Sequence, residues 1–136
     1  MSAYRDAKGN ILVSLLTTDA EKAAGDFVFG KPQISSAQLR RFYGEFKGLE
    51  MKLRFKSGQT SGFDETAFGS ILPLIKMVKS KVAYAENPKS AKIPASFGSW
   101  LKGHVDRIQT AADFEAFLLH FEAVVGFCYG LGLKNS

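Results

Sequence analysis

The chain has 136 residues, 46% of them hydrophobic and twelve of them phenylalanine, a length and composition that fit one domain with a true core and exclude a disordered tail. A single cysteine, Cys128, excludes an internal disulfide and a cysteine-rich zinc site. The net charge is +5 with a pI near 9.4, and its excess is segregated: residues 31–56 and 76–107 each carry seven basic and two acidic side chains, while the other three segments are slightly acidic.

Cations gathered in two blocks point to an anionic partner. Nucleic acid ranks ahead of membrane, because neither block reads as a lipid-surface helix with large exposed apolar residues. There is no basic N-terminal region followed by an apolar run, and no stretch approaches 18 uninterrupted apolar residues. The expectation is a soluble, cytoplasmic protein without a membrane partner.

In chain order, Ile11 to Leu16 is an apolar run that fits either a short strand or a loose helical turn. Thr18-Asp19 with Glu21 caps a short helix running to about Asp26, which Phe27, Phe29, Gly30 and Pro32 then break. From Ser35 to Lys56, Leu39, Phe42, Tyr43, Phe46, Leu49 and Leu53 recur at helical spacing behind a serine N-cap, predicting a long amphipathic helix. Arg40, Lys47 and Arg54 stack on one flank of its stripe, each step advancing about 10.5 Å with a drift of about 20°. Arg41 and Lys52 form a second column on the outer face. Such a row of cations can follow a polyanion, and it equally fits a merely solvated helix face. Glu50 falls among the apolar residues, and we expect it to be solvated where the helix projects beyond the core rather than paired.

Ser57 to Gly62 reads as a loop. Asp64-Glu65 caps the next helix, residues 63–85, whose stripe is Phe68, Ile71, Leu72, Ile75, Val78 and Val82. Pro73 lies inside it and predicts a kink or a restart. Lys76, Lys79 and Lys81 crowd its second half, and Lys79 points close enough to the stripe that it must snorkel or meet an anion. Asn87-Pro88 ends this helix and residues 86–94 form a basic linker. Phe97, Trp100, Leu101, His104, Val105 and Ile108 mark another helix, and Thr110 to Asp113 caps the last one, residues 112–130. That helix is apolar on most of its circumference, so it is either central in the fold or shared with another chain. The fold class is all-α, a compact bundle of about five helices in a single domain over residues 1–136: an N-terminal extension and short helix (1–33), then a helical core (34–130).

Catalytic signatures are missing. There is no phosphate-binding glycine loop, no dinucleotide fingerprint, no His-Glu-x-x-His and no serine elbow. His104 lies on an apolar face and reads as a buried, satisfied core histidine. His120 has no evident partner, and Cys128 reads as a small core hydrophobe. Asp64-Glu65 and Asp113-Glu115 sit in first turns, where capping and the helix dipole account for them. The sequence therefore disfavours an enzyme and calls for no cofactor and no metal.

Three stretches resemble the small subunit of the type III-A CRISPR effector, the Csm complex. Ser35-Ser36-Ala37-Gln38-Leu39-Arg40-Arg41-Phe42-Tyr43 is similar to that family's capped Gln-Ile/Leu-Arg-Lys/Arg-Phe element. Leu72-Pro73-Leu74 running to Lys81-Val82-Ala83-Tyr84-Ala85 resembles its Leu-x-Pro/Met…Lys-Leu-Ala-Tyr signature, and Phe117 to Gly130 its last helix. The matched segments span roughly 34–130. One departure stands out: the family commonly carries Gly/Ala-Arg after the Ala-Tyr element, whereas Glu86-Asn87-Pro88-Lys89 follows here, leaving Lys89 as the candidate replacement.

The resemblance implies a non-catalytic, multi-copy helical subunit. Its partners would be CRISPR RNA and target RNA, other subunits of the effector and further copies of itself. Phosphate contacts without base contacts position a strand and do not specify sequence, which suits a complex whose target is chosen by pairing to a guide. The candidate RNA-binding residues are Arg40, Arg41, Lys47 and Arg54 on the long helix, and Lys76, Lys79 and Lys81 on the next. Tyr84 is expected to pack rather than to stack on a base. Rival readings are a helix-turn-helix DNA-binding regulator, which needs a turn shorter than Ser57–Gly62, and a structural adaptor bundle whose cations only solubilise it.

Overall fold

In the computed structural model, which describes residues 3–58, 63–89 and 93–134, the described residues form α-helices joined by turns and irregular segments, with one isolated antiparallel bridge between Arg5 and Ile11. The elements are α1 (Val13–Leu16), α2 (Thr18–Val28), α3 (Ser36–Ser57), α4 (Glu65–Ala85), α5 (Ala95–Arg107) and α6 (Ala111–Gly130). Five of these are full helices and α1 is a single turn, so the all-α expectation holds, and the open reading of Ile11–Leu16 resolves to a bridge at Ile11 followed by the helical turn Val13–Leu16.

The helix starts follow capping chemistry. The Ser35 hydroxyl accepts from the Gln38 amide at 3.1 Å and opens α3. Asp64 accepts from Thr66 at 3.0 Å and opens α4. At α6 a capping box closes, with Thr110 accepting from the Asp113 amide and the Asp113 carboxylate accepting from Thr110. Glu65 does more than sit in a first turn: its carboxylate accepts from the Ala111 amide at 2.8 Å, so it caps α6 from α4. The cap expected at Thr18 is absent. Thr17 occupies that position, and its hydroxyl donates back to the Val13 carbonyl at 2.9 Å. α2 also runs past Asp26 to Val28 and carries Phe27 into the core. α3 ends at Gly58, whose φ of +68° favours a residue without a Cβ. α4 continues unbroken through Pro73, so the expected restart does not occur. The loop expected over Ser57–Gly62 falls partly, and the linker's residues 90–92 wholly, outside the described residues.

α6 is the central helix, packing against α1, α2 and α3, with α4 bridging α3 and α5. Ala20, Ala23 and Ala24 are buried on α2 and let it approach α6 closely. The core is aromatic. Phe46 meets Phe117 edge-on with centroids 4.9 Å apart, Phe27 meets Phe97 at 5.1 Å, and Trp100 meets Phe121 at 5.0 Å. Such edge-to-face contacts tie α2, α3, α5 and α6 into one aromatic core.

Candidate nucleic-acid interface

Two buried histidines lie between α5 and α6, their centroids 4.9 Å apart. His104 is the satisfied core histidine expected of it, with the Tyr4 hydroxyl 2.8 Å from its Nδ1. His120 corrects its expectation. It has two partners: Nδ1 faces the Leu15 carbonyl at 2.5 Å, and Nε2 lies 3.2 Å from the Trp100 indole N–H. The carbonyl can only accept and the indole can only donate, so neutral His120 carries its proton on Nδ1. Burial pushes both imidazoles down, His104 to about 3, and pushes the Cys128 thiol up to about 11. These groups are poorly placed for acid–base or thiolate chemistry near neutral pH. Among the described residues, no group of three or more His, Cys, Asp or Glu side chains could hold a metal ion, and no helix is long and apolar enough to cross a membrane.

The candidate cations do not converge on one patch. Arg40 and Arg41 are exposed on the first turns of α3. Neither forms an ion pair among the described residues, and Arg41 lies 6.0 Å from the centroid of the Phe42 ring. Lys47 and Arg54 continue the row on the flank that faces α6, where Tyr43 meets Phe121. Both are engaged by Glu50, whose oxygens lie 2.5 Å from Lys47 and 2.8 Å from Arg54. Glu50 is only 8% exposed and paired on both sides, which overturns its expected solvation. Burial alone would raise its carboxyl pKa, but the hydrogen bonds and charges of Lys47 and Arg54 outweigh that and hold it below the usual carboxylate range. The Arg54 guanidinium also covers the Phe63 ring at 4.8 Å.

On α4 the three lysines diverge. Lys81 points to the opposite flank of α3 and pairs with Glu45 at 2.8 Å. Lys79 meets the anion its position demanded, Asp106 of α5, also at 2.8 Å. Lys76 donates to the Val105 and Ile108 carbonyls at 2.6 and 2.9 Å and thereby caps the end of α5. Burial draws its ammonium below the usual lysine range.

Three further observations complete the surface. Tyr84 is 70% exposed, so the expectation that it packs inside the fold is corrected. Lys89 is exposed beyond the end of α4. Lys52 and Lys56 are exposed on the α4-facing flank of α3 without an ion pair among the described residues, beside exposed Met51 and Phe55. Those two apolar residues stand about 160–200° from the Leu39–Leu53 stripe at 100° per residue, a signal the sequence contains and stripe counting passes over.

No curated protein and no solved structure matches the chain. The family described as Csm2 Type III-A matches it over residues 12–129. That span takes in α1 and α2 along with the motif-bearing helices, as a core built jointly from α2, α3, α5 and α6 would require. The chain belongs to the Csm2 Type III-A family and is thereby a subunit of the type III-A CRISPR complex.

Proposed function

We propose that this chain is a non-catalytic small subunit that holds the guide–target RNA by its phosphate backbone, working in the cytoplasm beside other subunits and further copies of itself. The observation that carries the reading is the Arg40–Arg41 pair, exposed and without an ion pair among the described residues, at the head of a cationic row along a rigid helix. Arginine can clamp a phosphate bidentately, and a helix keeps successive cations at fixed spacing. Lys47, Arg54, Lys79 and Lys81 are secondary contacts, because each must leave a carboxylate to reach a phosphate. Lys76 leaves the set, since its ammonium is committed to the carbonyls ending α5. Tyr84 stands free to meet a base or a ribose.

The test is the R40E/R41E double variant of the full chain, with labelled RNA binding followed by anisotropy as NaCl is raised. We expect affinity to fall at least about tenfold and the salt slope to lose about 0.7 for each lost phosphate contact. Circular dichroism should not change, because both side chains are exposed. Unchanged RNA affinity at low salt, or tighter binding of duplex DNA than of RNA by the parent chain, would refute the proposal.

A further inference from the structure

We infer that the groove between the C-terminal half of α3 and the N-terminal half of α4 is a protein-docking site for an acidic amphipathic helix of another subunit. The inference rests on the chain being part of the assembly. It is independent of the phosphate contacts proposed for Arg40 and Arg41.

The groove encloses about 560 Å³, with Met51 and Phe55 on one wall and Ile71 and Leu74 on the other. Met51 is 71% exposed, Phe55 88% and Leu74 37%. A phenylalanine so exposed is conspicuous in a chain that buries Phe27, Phe42, Phe46, Phe97, Phe114, Phe117 and Phe121 almost completely. Met51 and Phe55 are one helical turn apart, so their side chains form a continuous ridge. Concentrated exposure of this kind marks an interaction surface, whereas single exposed apolar residues do not.

Charge selects the occupant. Lys52 and Lys56 line the groove one turn apart, no acidic side chain lines it, and neither lysine is ion-paired among the described residues. The complement is a helix that lays apolar residues at i and i+3 or i+4 onto the ridge and flanks them with aspartate or glutamate. A nucleic acid would meet four apolar side chains, Met51, Phe55, Ile71 and Leu74, and no hydrogen-bonding side chains beyond the lysines and Ser70. A second copy of the chain offers a poor match. It carries the same net charge of +5, so its surface meets the lysine-lined groove with like overall charge.

The experiment places the photocrosslinking residue p-benzoylphenylalanine at position 55 of the full chain. That chain is co-expressed with the other type III-A subunits and a guide RNA, and crosslinked peptides are identified after purification. The expected product joins position 55 to an Asp/Glu-bearing helical peptide of a different protein subunit. In parallel, F55S and K52E/K56E should each lower incorporation of the chain into the purified complex at least about tenfold. F55S should leave the isolated chain's RNA affinity within twofold of the parent and its circular dichroism unchanged, as expected for a side chain in solvent. A crosslink to RNA or to a second copy of this chain, or normal incorporation of both variants, would overturn the inference. Loss of RNA binding in R40E/R41E with normal incorporation would leave it intact, so the two proposals fail separately.

Discussion

Replacing Glu50 with glutamine separates the two roles the structure gives to the cationic flank of α3. The carboxylate holds Lys47 at 2.5 Å and Arg54 at 2.8 Å, with side-chain exposures of 42% and 60% for the two cations against 11% for the glutamate. Glutamine keeps the volume and one acceptor but removes the charge. Because both cations reach water, each pair contributes only about 0.5–1 kcal/mol after solvent screening, so E50Q should destabilise the fold by about 1–2 kcal/mol. At roughly 2.1 cal/mol/K of unfolding entropy per residue, this lowers Tm by about 3–7 °C in a chain of this length. RNA binding should move the other way. A carboxylate about 7 Å from a bound phosphate repels it by about 0.6 kcal/mol in water, so its removal alone tightens binding about threefold. Each cation thereby released to a phosphate steepens the salt dependence by up to about 0.7. The assay is RNA anisotropy across a NaCl series, beside thermal unfolding of the same samples. A lower Tm with unchanged affinity and slope would refute the reasoning and leave Lys47 and Arg54 as structural partners of Glu50. Adding K47Q/R54Q to E50Q should abolish the gain.

Three more outcomes follow from the geometry. K76M keeps the aliphatic stem but leaves the Val105 and Ile108 carbonyls without their ammonium donor; urea unfolding should show a loss of about 1–3 kcal/mol, with RNA affinity within twofold of the parent. Phe117 is fully buried against Phe46, His104 and Phe121, so F117A should cost about 3–5 kcal/mol by urea titration, a large share of a small domain's stability. His104, facing Tyr4, His120 and Arg107, is held neutral by burial with a folded-state pKa of about 3. The unfolded chain, titrating near 6.5, binds the extra proton first. This group should therefore leave stability flat above about pH 6.5 and take away up to about 1.4 kcal/mol per pH unit below it. H104F should lessen the slope and leave the part due to His120, whose pKa burial also lowers, and an unchanged slope in H104F would contradict the assignment.

Much of the secondary structure was legible in the sequence. The hydrophobic period drew α3 through α6, and Ser35, Asp64 and Thr110 marked three of their starts, because capping and periodicity act over a turn or two of chain. The end of α2 was missed, since Phe27 reads as a breaker until Phe97 and Trp100 of α5 supply a pocket for it. Pro73 stays within one helix because burial of Ile71 and Ile75 on either side of it holds α4 together.

The candidate site was legible only as a set of cations. The i+3 and i−4 spacing of Glu50 from Lys47 and Arg54 could have announced that cluster. The pairing of Lys81 with Glu45, of Lys79 with Asp106, and of Lys76 with the end of α5 joins residues 27 to 36 positions apart. Those contacts depend on where α4 lies against α3 and α5. The sequence alone determined the helices, their buried faces, the segregation of charge and the family motifs, because each is written in local spacing. Which cations remain for a partner, what His120 bonds to, and that Tyr84 stands in solvent were decided by tertiary packing, because neutralisation and burial depend on neighbours that only folding brings within a few ångströms.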